Sequence, residues 1–314
     1  MSERVMISGS VAYDTIMVFD GHFKDHILAD QVHMLNVSFL TPRLKREFGG
    51  CAANIAYSLK QLGGNPLVLA AIGRDGSDYL QRLAGLGIDT ARVRAFDDQY
   101  TAQAFITTDL SDNQITAFHP GAMGSADQVS AQADGERVGW GIVAPNGKAA
   151  MLRHAREFAA QGIPFIFDPG QGLPMFDGAE LRELIGAATA LTVNDYEAKL
   201  LCERTGWSED DIASRVKALI VTRGAEGSTL FEGNARQTID AVPITKAIDP
   251  TGCGDAYRAG LLYGLSLGWT WLESARLGSV LGAAKIEHAG AQNHPIDRAL
   301  LSSRFASAYG RAPW

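Results

Sequence analysis

Cysteine is scarce in this chain: Cys51, Cys202 and Cys253 are the only three in 314 residues, odd in number and far apart. They form neither a CxxC pair nor a Cys/His ligand spacing, which argues against a zinc site and a disulfide framework. Basic charge is short as well, with 28 Lys and Arg against 35 Asp and Glu, a net of −7 at pH 7. Without a basic excess to neutralise phosphates, neither nucleic acid nor an anionic membrane is an expected partner, though a small anion at one local site is compatible. Long apolar runs are missing: none approaches the roughly 20 residues of a membrane helix. The N-terminal stretch carries Glu3 and Arg4 and is too short for a signal segment, so a cytoplasmic setting is expected. Repeats, low-complexity tracts and linkers are also lacking, which favours one body over tandem domains although the length alone allows two.

Two familiar phosphate motifs are absent too. Gly147-Lys148 superficially suggests a P-loop, but residue 142 is Ile and Ala149 stands where Ser or Thr is required. No strand is followed by GxGxxG with an acid about 20 residues on, so a dinucleotide fold is not supported.

What remains is a composition that builds a core: 46% apolar, 20% charged, 34 glycines and 11 prolines. Short apolar runs alternate with amphipathic stretches, the pattern of a parallel sheet covered by helices. Val5–Ser8, Leu67–Ile72, Pro164–Phe167, Thr189–Val193 and Leu219–Thr222 read as buried strands. Several of them end at Gly, Asp or Asn, where parallel sheets collect functional groups. Ala52, Ile55, Ala56, Leu59 and Leu62 recur at helical spacing and stop at Gly63-Gly64. A second helix is expected after Gly254. Residues 13–48 and 99–119 lack that periodicity and read as β-rich, through Ile16–Phe19, Val37–Leu40, Ala104–Ile106 and Ile115–Phe118. They are expected to pair into a small β lid over an α/β body made of residues 1–12, 49–98 and 120–314.

Asp249-Pro250-Thr251-Gly252-Cys253-Gly254-Asp255 is the strongest chemical signal. Small residues at 252–254 ahead of a helix turn backbone N–H groups toward one point, and the helix dipole adds to them, making a place for an anion. A carboxylate at Asp255 suits that place if it removes a proton from a hydroxyl that attacks phosphorus. Gly49-Gly50, with Asn54 on the following turn, lets a ligand approach backbone and offers a donor and an acceptor to a polyol. Cys253 at a helix start has either a lowered thiol pKa or simply the role of a small residue. Arg258 faces ligand or solvent; the sequence does not decide which.

These motifs resemble those of the ribokinase-like (PfkB) family of small-molecule kinases, and the match spans nearly the whole chain. Gly9-Ser10 with Asp14 is similar to the family's first strand and the acid that holds vicinal hydroxyls. Gly49-Gly50…Asn54 resembles the first signature, Asn194-Asp195-Tyr196-Glu197 the NxxE motif, and Thr222…Gly224…Gly227 the nucleotide loop. Asp249–Gly260 resembles the second signature, which holds the catalytic acid. The resemblance implies a three-layer α/β/α body with a mostly parallel sheet. It implies ATP and Mg²⁺, the ion served through Asn194 and Glu197 by way of water. It further implies a monovalent cation, K⁺, near Asp249 and the 287–292 loop. Asp255 would be the base, with Gly252, Cys253 and Gly254 around the transferred phosphoryl group. Ser10, Asp14, Gly49, Gly50 and Asn54 would hold the sugar.

Several stretches resemble the bacterial adenosine kinases of that family: Val37–Leu40, Thr107–Asp109, Phe118–Met123, Asp168-Pro169-Gly170-Gln171 and Gly290-Ala291-Gln292. The implied reaction is transfer of phosphate from ATP to the 5′-hydroxyl of adenosine or a related nucleoside, with a sugar kinase for ribose or a hexose as the alternative. Phe118 is the expected stacking residue for the base, Phe105 its partner, and Gln171 a reader of a base edge or ribose hydroxyl. Two departures stand out. Ala12 replaces the Asn that sugar kinases often carry two residues before the acid, and Ala104 takes the place of the second lid aromatic, putting Phe105 one position on, where a strand turns it to the other face. The open edges of a lid sheet also fit a homodimer.

Overall fold

A computed structural model describes residues 2–27, 36–111, 113–311 and 314. The first half contains β1 (Arg4–Ser8), β2 (Ala12–Val18), β3 (Arg43–Gly49), α1 (Cys51–Gln61), β4 (Asn65–Gly73), α2 (Ser77–Gly85) and β5 (Val93–Phe96). There follow β6 (Ala102–Thr108), β7 (Gln114–His119), β8 (Val138–Val143), α3 (Lys148–Ala160) and β9 (Phe165–Phe167). The second half runs through α4 (Gly178–Ala187), β10 (Ala190–Asn194), α5 (Asp195–Thr205), α6 (Glu209–Ala213), β11 (Ala218–Thr222), β12 (Ser228–Glu232) and β13 (Ala235–Ile239). Three helices close it: α7 (Cys253–Ser266), α8 (Trp271–Ile286) and α9 (Arg298–Tyr309).

Nine strands form the large sheet in the order β13-β12-β11-β10-β9-β8-β1-β4-β5. From β5 to β11 every pair is parallel; the β11–β12 and β12–β13 pairs are antiparallel, so β12 alone runs against the rest. Side chains alternate across the strands, so β1 sends Val5 and Ile7 into one layer and Met6 into the other. One layer is filled chiefly from α1, α7 and α8, and the opposite one from α3, α4 and α5. Burial on both faces is why these strands read as unbroken apolar runs. The parallel arrangement brings the C-terminal ends to one edge, where Asp168, Asn194 and Thr222 emerge.

The four-stranded sheet has the order β3-β2-β6-β7, with β2 and β6 parallel and the outer pairs antiparallel. Residues 28–35, part of the expected lid, lie outside the described residues. Val37–Leu40, expected to be part of a strand, forms no regular element. Its Phe39 ring instead packs on Phe19 and Phe23, with ring centres 4.9 and 5.0 Å away. The strand in this segment is β3, rich in Arg, Lys and Glu. A charged edge strand leaves no apolar alternation to read, and edge position is what tolerates that charge. No helix of the described residues is long and apolar enough to cross a membrane.

Candidate active site

The N-terminus of α7 and the first turn of α1 meet at Asp255. Gly252 caps α7 in the left-handed region at φ 78°, and a Cβ there would come within 2.8 Å of the Ala291 side chain. Only glycine supplies that turn and that closeness. Asp255, in the first turn of α7, accepts a hydrogen bond from Asn54 Nδ2 at 2.8 Å. Asn54 is itself fixed: its Oδ1 accepts from Gln292 Nε2 at 2.9 Å. Gln292 also donates to the Tyr79 hydroxyl at 2.6 Å, and Tyr79 donates to the Gly49 carbonyl at 2.5 Å. With its oxygen committed to Gln292, the Asn54 amide can only aim its N–H₂ at Asp255. Burial raises the Asp255 carboxyl to about 6, with the Asp168 carboxylate adding to the rise and the Asn54 donor and Arg258 opposing it. Such a group is ionised at neutral pH and yet basic enough to take a proton.

Asp14 stands on β2 beside Gly49, where a Cβ would reach within 2.4 Å of its carboxylate oxygen. Burial, with the carboxylates of Glu47 and Asp249, raises Asp14 to about 6 as well. Gly50 has φ 88°, and a Cβ there would strike the Ala12 nitrogen and the Ser10 carbonyl, both at 2.6 Å. Ser10, expected to touch substrate, turns inward: its hydroxyl accepts the Cys51 N–H at 3.0 Å and its carbonyl accepts the Ala52 N–H at 3.0 Å. In that arrangement it caps α1, which has no side-chain cap of its own at Gly50.

At the strand ends, Arg258 is turned away from solvent. Its guanidinium pairs with Asp168 through Nε at 2.9 Å and Nη2 at 3.1 Å, and both side chains are nearly fully buried. The fork-on-carboxylate geometry satisfies both ions, while loss of either would strand the other. Asn194 and Glu197 form a capping box at the start of α5: the Glu197 N–H donates to Asn194 Oδ1, and the Asn194 N–H to Glu197 Oε2, each at 2.8 Å. Burial and the Asp168 carboxylate push Glu197 above the usual carboxylate range. Thr222 ends β11, and the turn that follows closes with the Arg223 N–H on the Gly227 carbonyl at 2.8 Å, leading through Gly224 into β12.

Asp249 holds the α7 approach together, its carboxylate accepting N–H groups from Thr251 at 2.8 Å and Gly290 at 2.7 Å. Burial pushes the Cys253 thiol up to about 11, which favours the role of a small residue over that of a reactive thiol. Among the described residues no cluster of three or more His, Cys, Asp or Glu forms a metal cage.

Strand register sorts the aromatic candidates. Asp14 pairs with Ala104, and Ala104 with Phe118, so the three side chains lie in a row on one face of the small sheet. Phe105 pairs with Thr15 and Ala117 and points to the other face, away from Asp14; it is not a partner for Phe118 across a base. Gln171 sits exposed in a short turn of 3₁₀ helix, Gly170–Met175. The residues sequence reasoning did not assign are Asp168, Gln292 and the buried role of Arg258. Gln292 had a signal in Gly290-Ala291-Gln292; the Arg258–Asp168 pair spans 90 positions and had none.

A family model described as pfkB family carbohydrate kinase matches residues 4–298. A nucleoside kinase of Methanocaldococcus jannaschii is 31% identical over 264 residues, covering 82% of this chain and 85% of that protein. One from Methanothermobacter thermautotrophicus is 30% identical, covering 92% and 94% respectively. The solved structure of Burkholderia thailandensis nucleoside kinase in complex with inosine is 50% identical at a TM-score of 0.89, covering 98% of this chain and 99% of that one. The carboxylate at a helix N-terminus, the ribokinase-like layers and these likenesses agree: the chain belongs to the pfkB family of carbohydrate kinases and is an ATP-dependent kinase acting on a hydroxyl group.

Proposed function

We propose that the enzyme phosphorylates the 5′-hydroxyl of purine nucleosides, adenosine among them, with ATP as donor. The observation that carries this reading is the Asp255 carboxylate, held by Asn54 at the N-terminus of α7. Support for a nucleoside comes from the row of Asp14, Ala104 and Phe118, which offers a carboxylate for ribose hydroxyls and an aromatic ring for a base. It comes too from relatives whose printed names are nucleoside kinases, one of them solved with inosine. In this reading the small sheet, residues 13–48 and 99–119, is the lid over the strand ends.

Ionised Asp255 accepts the 5′-hydroxyl proton as that oxygen attacks the γ-phosphorus and the bond to the ADP oxygen breaks. The N–H groups at Gly252 and Gly254 are the donors for the charge spreading on the phosphoryl oxygens, while the Cys253 N–H is held by the Pro250 carbonyl at 3.1 Å. Asp14, Gly50 and Asn54 orient the sugar, which supplies proximity. Thr222, Gly224 and Gly227 line the nucleotide side. Glu197 keeps one carboxylate oxygen free of hydrogen bonds among the described residues, beside Asn194. One oxygen suits Mg²⁺ held mainly by the nucleotide's own phosphates, where the ion would neutralise charge between the β- and γ-groups. We propose further that the open edges β3 and β7 of the small sheet and its exposed apolar residues pair with a second copy of the chain.

The test is ATP consumption over adenosine, inosine, other nucleosides, ribose and hexose phosphates. Purine nucleosides are expected to lead; preference for a bare sugar would replace this reading with the sugar-kinase one. Asp255→Asn is expected to cut turnover by about 10²–10⁴-fold while nucleoside binding persists. Substantial residual turnover would remove Asp255 as base.

A further inference from the structure

Lys285 lies in the last turn of α8 and is fully buried. Its ammonium donates to the carbonyl oxygens of Asp249 at 2.8 Å and His288 at 2.9 Å. A buried cation is costly unless its protons find acceptors, and here two carbonyls and the negative end of α8 provide for it. Burial pushes the Lys285 pKa down, while Cys253 and the Asp249 carboxylate pull it back up. The loops joined in this way shape the start of α7. Ile248 and Asp249 both donate to the Ile286 carbonyl, at 2.8 and 3.1 Å. Gly290 donates to the Asp249 carboxylate, and Gly252 packs on Ala291.

The family resemblance implied K⁺ at this place, near Asp249 and the 287–292 loop. The residues do not fit one. K⁺ is held by a cage of oxygens that replaces its water. Here the carbonyls of Asp249 and His288 face an ammonium, and both carboxylate oxygens of Asp249 face N–H groups. A second cation beside Lys285 would meet like charge in a poorly solvated spot.

We propose that the Lys285 ammonium stands in for the monovalent cation, bridging the 249–252 and 288–291 loops behind the α7 N-terminus, so that the enzyme works without K⁺. Lys285 is thus a positioning residue, acting through the backbone that presents Gly252–Gly254 and Asp255. The proposal rests on the kinase reading above, so its test pairs turnover with a melting curve that needs no substrate.

Wild-type turnover of adenosine and ATP is compared in choline chloride and KCl at equal ionic strength, about 100 mM. The expected difference is under about twofold, with an unchanged melting temperature, because no oxygen cage is left to order. Lys285→Ala leaves two carbonyls facing a gap; about tenfold loss or more is expected in choline, with recovery in KCl or ammonium chloride. Its melting temperature in the absence of substrate is expected to rise on the same exchange. Several-fold activation of the wild type by KCl overturns the proposal. So does a folded Lys285→Ala protein that is equally active in both salts, or one that neither salt restores. If that variant does not fold, the wild-type comparison decides alone. If no nucleoside turns over while both melting results hold, the substrate reading fails and the Lys285 assignment stands.

Discussion

Asp255 and Asp14 share an unusual state: two carboxyls on different elements, each raised to about 6 with burial as the leading cause. The proposed reaction needs both ionised, one to take a proton and the other to accept hydroxyl donors. Their protonation therefore removes activity as pH falls, beginning near 6 rather than near 4. The expected kcat/KM profile for nucleoside rises from acid to neutral pH with a limiting slope approaching two, and Asp14→Asn should reduce that slope toward one. A flat profile down to pH 5 would contradict both assignments. The stability sign is the reverse. A carboxyl whose folded pKa is raised binds its proton more tightly in the fold, so stability is gained as pH drops from about 6 toward the ordinary value of 3.8 and is lost on ionisation. Asp255→Asn, which cannot ionise, should therefore melt at a higher temperature than the wild type at pH 7, activity having been kept at the expense of stability.

At the level of elements, strand register decides which aromatic shares a face with Asp14. Phe118 shares a face with Asp14 and is about half exposed, as an unfilled stacking site would be; Phe105 shares a face with Thr15. Removing a ring that stacks on a base costs about 1–3 kcal/mol. Phe118→Ala should accordingly raise KM for nucleoside about tenfold and leave KM for ATP nearly unchanged, whereas Phe105→Ala should move neither by more than about twofold. Equal losses for both substrates in the Phe118 variant would take it out of the base site. This outcome was partly legible in the chain. Alternation across a strand put Phe105 and Phe118 on opposite sides once Ala104 occupied the aligned position, but only the ladder partners identified which of those sides carries Asp14. Element positions in the body were legible for a related reason: strands buried on both faces announce themselves as apolar runs. The edge strand β3, covered with charge, did not.

For the whole molecule, the small sheet leaves two strands unpaired at its edges, and on the face turned away from Asp14 it exposes Leu44, Phe105 and Ile115, at 67%, 42% and 45%. Apolar residues on a sheet with open edges fit a surface that a second copy covers. The expected native mass at about micromolar concentration is that of a dimer, whose interface should bury on the order of 800 Å² per partner; a monomeric mass would refute it. The Phe105 ring, expected from sequence as a partner for Phe118, lies on this face away from Asp14.

Sequence alone determined the layers, the glycine turns and the place of Asp255, because each is encoded locally: apolar periodicity, positions needing φ above zero, and an acid in the first turn of a helix. Tertiary structure decided what those groups touch. The Asn54 amide is aimed by Gln292, which lies 238 positions away, Arg258 is neutralised by Asp168 across 90, and Lys285 caps a carbonyl 36 positions before it. Hydrogen bonds and ion pairs between distant segments leave no periodic trace, so the partners of Lys285 become visible only when the two loops close around it.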